Sequence, residues 1–127
     1  MSLALLLVLP VSAAATDYIC IVEQWAGAWI ERGSFGVRSA HTTPSTYFLR
    51  KRDGKYQVFN HKLNAVQMAG CNDTGTFCDR GDDLYGGMFM RDEVHNTFVL
   101  IEMRGPSANE GEDRSWHVTL VGKCSEM

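Results

Sequence analysis

No window of eleven or more residues in this sequence repeats its apolar positions at helical spacing, which excludes a helical bundle. No apolar run reaches the ~18 residues that a membrane-spanning helix needs. There is no Cys-x-x-Cys, so a zinc knuckle is a poor reading of the cysteines. A Gly-x-Ser-x-Gly elbow is missing, and no histidine has a carboxylate or nucleophile at motif spacing. Internal repeats are absent too, which removes solenoids and propellers. Positive charge is in deficit, the formal net charge being −3, and this argues against a nucleic-acid binder.

What is present begins with an uncharged N-terminus. Residues 3–11 are apolar, and Ala13, Ala14 and Ala15 supply small residues of the kind a signal peptidase cuts after. We read residues 1–15 as a signal peptide, although no Lys or Arg precedes the apolar run, and residues 16–127 as a single domain. After cleavage no transmembrane span is expected, and the destination is secreted or periplasmic. In that oxidising setting four cysteines imply two disulfides. Three connectivities are open to them; we favour Cys71 with Cys78, closing a short loop, and Cys20 with Cys124, joining the first and last strands.

Between the cysteines the apolar residues alternate. Residues 17–25 read as a strand with Tyr18, Cys20 and Val22 on one face and Ile19, Ile21 and Trp25 on the other. Ala26 and Gly27 suggest a turn, Ala28 to Ile30 a short second strand, and residues 33–45 mostly loop with brief pairing at Phe35 and Val37. The strongest local signal is Asp53-Gly54 between two alternating runs, the residue pair of a type I′ hairpin. It sets Arg52 opposite Lys55, Arg50 opposite Gln57 and Phe48 opposite Phe59, with Tyr47, Leu49, Lys51, Tyr56 and Val58 facing the core. Residues 63–69, 84–90, 97–103 and 115–122 read as further strands, and residues 71–83 and 105–113 as polar loops. About eight short strands stapled by two disulfides make an all-β domain, a small antiparallel β-barrel or a flattened sandwich. The barrel is preferred because it brings Cys20 and Cys124 together.

Charge is unevenly spread. Residues 31–62 hold seven basic and two acidic side chains, a net of +5, while residues 72–127 hold five basic and eleven acidic, a net of −6. The candidate contact residues are therefore Arg50, Arg52 and Lys55 at the hairpin tip, and Asp79, Asp82 and Asp83 in the acidic stretch. Such polarity suits a charged partner or head-to-tail self-association, and a charged hairpin also discourages aggregation. The function expected is that of an exported, non-enzymatic binding domain with a protein or glycan partner in the envelope or extracellular space.

Three alternatives compete. Asn72, Asp73, Asp79, Asp82 and Asp83 are hard oxygen donors suited to calcium, although their spacing is not that of an EF-hand. Met68, Met88, Met90 and Met103 with His95 could hold copper, although methionines on strands ordinarily fill cores. A small hydrolase would need a histidine and a carboxylate to converge in a cleft. No cofactor is expected. Trp25, Trp29 and Trp116, with Tyr18, Tyr47, Tyr56 and Tyr85, are numerous for a small domain; most are expected in the core, and a barrel mouth lined by one or two of them could hold a small apolar ligand or stack a sugar. Gly86 and Gly87, inside a predicted strand, mark a bulge or a close approach.

Overall fold

In the computed structural model the described residues are 16–41, 45–81, 85–104 and 114–127. The predicted signal peptide, the loop at 105–113, and Asp82 and Asp83 lie outside them. Ten strands follow in chain order: β1 Tyr18–Glu31, β2 Ser34–His41, β3 Thr46–Arg52, β4 Lys55–Asn60, β5 Ala65–Met68, β6 Gly70–Cys71, β7 Phe77–Gly81, β8 Tyr85–Arg91, β9 Thr97–Arg104 and β10 Arg114–Glu126. All pairings are antiparallel, and the described residues contain no helix. The sheet runs β5-β4-β3-β1-β10-β9-β8-β7-β6, with β2 added beside β1. This is a nearly closed nine-strand barrel, as the alternation implied, with more strands than expected.

Alternation decides which side of each strand is buried. Cys20, Val22, Tyr47, Leu49, Tyr56, Val58, Met68, Cys78, Phe89, Phe98, Leu100 and Cys124 fill the interior. The hairpin of β3 and β4 has the predicted register, with Phe48 against Phe59, Arg50 against Gln57 and Arg52 against Lys55. Its core face is the predicted one as well, through Tyr47, Leu49, Tyr56 and Val58. At the floor of the barrel Arg91 is 6 % exposed. Its guanidinium lies 4.1 Å over the Tyr18 ring and donates to the Thr74 carbonyl at 3.3 Å.

Both disulfides join residues directly opposite on neighbouring strands. Cys20 pairs with Cys124 across β1 and β10, and Cys71 with Cys78 across β6 and β7. The Cys124 amide donates to the Asn96 carbonyl, away from β1, so Cys20 and Cys124 form a close, non-hydrogen-bonded pair with Cα atoms 4.0 Å apart. Two formed disulfides fit an oxidising, non-cytoplasmic compartment.

Several local readings are corrected. Ala26 and Gly27 do not turn: β1 runs through them for fourteen residues. The turn comes later, at Arg32 and Gly33, both with positive φ, and it returns the chain as β2 where loop was expected. The stretch from Cys71 to Cys78, stapled as expected, is a hairpin of β6 and β7 rather than a polar loop. Asn72 builds its tip, the side-chain carbonyl accepting from the amides of Thr76 and Phe77. The close approach at Gly87 is internal: a Cβ there would sit 2.9 Å from the Met68 methyl. Met68 of β5 thus packs onto β8 and draws the open edge of the barrel shut.

Candidate functional site

The site begins with one extra residue. In the register of β1 and β10, Val22 faces Gly122 but Gln24 faces Val121, so Glu23 is a bulge. A one-residue slip transfers every later side chain to the other face of a strand. Trp25 and Trp29, which simple alternation groups with outward Ile19 and Ile21, are carried to the inner face. There Trp25 pairs with Leu120, Gly27 with Val118 and Trp29 with Trp116. All three tryptophans of the chain therefore share one concave surface, in the upper half of β1 and β10 where β2 replaces β3 as the neighbour.

The surface is a trough of about 460 Å³ lined by Trp25, Gly27, Trp29, Glu31, Arg38, Trp116 and Val118. Each indole is half-buried. Trp29 is seated by Gly36, its partner on β2: a Cβ on Gly36 would fall 2.7 Å from the indole ring, so the absent side chain leaves room for the ring to lie across the strand. Arg38, opposite Gly27 on β2, and Glu31 supply charge at the margin.

Beyond Trp116 a second cavity, about 410 Å³, opens at the barrel mouth between β5 and β8, with Asn60, Gln67, Met68, Arg80, Glu102 and Trp116 among its walls. Asn60 donates to the Gln67 side chain at 2.9 Å and accepts from the Leu63 amide. Glu102 faces inward in the same cross-strand row as Val118 and Gly27. One of its carboxylate oxygens is buried without a hydrogen bond. Burial raises the Glu102 pKa, and the charge of Arg80 opposes the rise. Tyr47 is pushed up to about 12, by burial first and then by the charge of Glu102.

Of the predicted contact residues, Arg50, Arg52 and Lys55 sit at the β3–β4 tip in the expected register, and Asp82 and Asp83 lie outside the described residues. Arg50 donates to Gln57 at 3.1 Å and stacks its guanidinium 3.9 Å over Phe59. Arg52 pairs with Asp17 at 3.3 Å. Two of the three cations at the hairpin tip are thus engaged within the domain, and Lys55 is exposed. Asp79 is exposed on β7. The methionines are divided by the sheet: Met68 is interior, while Phe89 points inward between Met88 and Met90, which with Met103 face out. Among the described residues no three His, Cys, Asp or Glu side chains gather as a metal would require. His95 bonds Asp92 at 2.9 Å, but on the exposed turn between β8 and β9 rather than in a cleft. That bond, with the Val94 and His95 amides, lowers the Asp92 pKa. His61 packs edge-on against Phe48, and His117 is exposed.

The sequence alone offers one or two of seven tryptophans and tyrosines for a barrel mouth and does not single out the three tryptophans or their shared face. The missing signal is the bulge, which has no residue marker of its own. Comparison with family models, curated proteins and solved structures finds no match, so the functional reading rests on geometry.

Proposed function

We propose that this chain is a non-catalytic binding domain of a secreted or periplasmic setting, and that it holds a glycan along the tryptophan trough. The observation that carries the reading is three half-buried indoles on one concave sheet face, with Arg38 and Glu31 at its margin. Tryptophans that serve only a core are covered by it; these lie above the buried cluster and are not part of it. A sugar ring has C–H faces and a rim of hydroxyls. Indole faces suit the first, and charged hydrogen-bonding groups suit the second. The trough volume lies within the ~300–1,000 Å³ common to ligand clefts. An open trough with charge at its edge fits a polar chain better than a wholly apolar ligand, which enclosure would favour.

Of the nearby carboxylates, Glu31 lies at the rim of the trough and Glu102 in the second cavity, on strands separated by β10. The apolar residues 1–15 and the two disulfides support export.

Titration with soluble oligosaccharides of glucose, N-acetylglucosamine and uronic acids, read by tryptophan fluorescence, tests the proposal. At least one class should give a saturable change that Trp29→Ala and Trp116→Ala each weaken tenfold or more, which is about 1.4 kcal/mol. Charge reversal at Arg50, Arg52 and Lys55 should leave that response in place. If no class changes the spectrum, or both tryptophan variants respond as the parent does, the reading is wrong.

A further inference from the structure

We propose that β2 pairs edge to edge with β2 of a second copy of this chain, joining two tryptophan troughs into one concave surface. β2 is eight residues long and hydrogen-bonds β1 along its whole length. Among the described residues no strand pairs with its other edge. Natural sheets protect a free edge with lysine, proline, a bulge or an inward-pointing charge. From Ser34 to His41 there is no lysine, no proline and no acidic residue, and its register with β1 is unbroken. Its one formal charge, Arg38, opposite Gly27 and lining the trough, is an inward-pointing charge and the single protective device of that kind on the strand.

The outer face of the same strand is apolar and bare. Phe35 is 82 % exposed and Val37 79 %, and Ile30, opposite Phe35 on β1, is 56 % exposed. An added peptide strand is ordinarily selected by pockets for its alternate side chains. Here Phe35 and Val37 stand open and form no such pocket. A second copy needs none, because antiparallel pairing brings its own Phe35 and Val37 to the same face as apolar neighbours. Antiparallel pairing also obeys a two-fold axis perpendicular to the sheet, the closed symmetry most common in homodimers. That axis keeps both concave faces on one side. The two β1 strands, each with its Trp25 and Trp29, then run about 14 Å apart across the paired β2 strands. An extended ligand could lie across both troughs.

Sedimentation of the full domain over a wide concentration range should show twice the chain mass at high concentration. Phe35→Lys and Val37→Lys, at solvent-exposed positions, should return the mass to one chain with an unchanged melting midpoint. Hydrogen exchange gives an independent readout: the β2 amides that point away from β1 should become protected as concentration rises, and should lose that protection in both variants. A single chain mass at every concentration would overturn the proposal. So would a dimer that persists in both lysine variants, or outward amides that exchange freely in the dimer. The monomeric variants also keep the two proposals apart, since each retains one complete trough and its fluorescence response to oligosaccharide.

Discussion

Gly122 sits where β10 must accommodate the bulge of β1. A Cβ there would overlap the Ile21 carbonyl and press on the Phe98 ring 2.9 Å away. Neither neighbour can yield, because one is backbone and the other is buried in the core. Gly122→Ala should therefore cost about 3 kcal/mol in urea unfolding, the upper range for overpacking. It should also disturb the trough, whose tryptophans depend on the same bulge. A second residue-scale prediction concerns Glu102. Burial raises its pKa in the folded state, with Arg80 in partial opposition. The folded protein then holds this proton more tightly than the unfolded chain. Its contribution is fully present below the unfolded carboxyl range and is lost as pH rises through the folded value. Glu102→Gln removes the buried charge, so it should raise the melting midpoint near neutrality and raise it less in acid. An equal shift at both pH values would show that the carboxylate is not the cause.

Among the elements, the hairpin of β3 and β4 was readable because its turn chemistry is local. Asp53 and Gly54 both adopt positive φ, and a two-residue turn of that kind leaves one register for the flanking strands. The hairpin of β1 and β2 closes through Arg32 and Gly33 in the same conformation, yet from sequence its second strand reads mostly as loop with brief pairing at Phe35 and Val37. Arginine does not advertise positive φ as aspartate does, and Ser34, Gly36 and Ser39 weaken the strand pattern that follows. The two short strands from Cys71 to Cys78 are hard to read for a related reason, although their disulfide is legible. Their β-signal is diluted by Asn72, Thr74 and Gly75, which build the turn, and the staple joins strands of two and five residues. So short a hairpin depends on its covalent link. Replacing Cys71 and Cys78 by serine should lower stability by about 2.5 kcal/mol in denaturant titration, the chain-entropy value for a loop of this length. A loss well under 1 kcal/mol would mean that Cys78, though wholly buried, is held by packing alone.

Over the whole molecule, the fold class and both disulfides could be read from alternation and cysteine placement, since neither requires knowing which face a given residue takes. The site could not. It depends on the bulge at Glu23, on the seat that Gly36 offers Trp29, and on β2 lying beside the upper half of β1. These are properties of paired strands rather than of any one stretch. Charge asymmetry in the sequence points to the tip of β3 and β4, where Arg52 also pairs with Asp17 and Arg50 contacts Gln57 and Phe59. Strand pairing adds an aromatic surface elsewhere on the molecule. The central claim, that Trp25, Trp29 and Trp116 form one ligand surface, is tested most directly by the three indole N–H signals in an NMR titration with the oligosaccharide that gives the largest fluorescence response. The account predicts that all three move together along one saturation curve while amides of the β3–β4 tip stay fixed. Shifts confined to the tip, or indole signals unmoved by every oligosaccharide class, would contradict it.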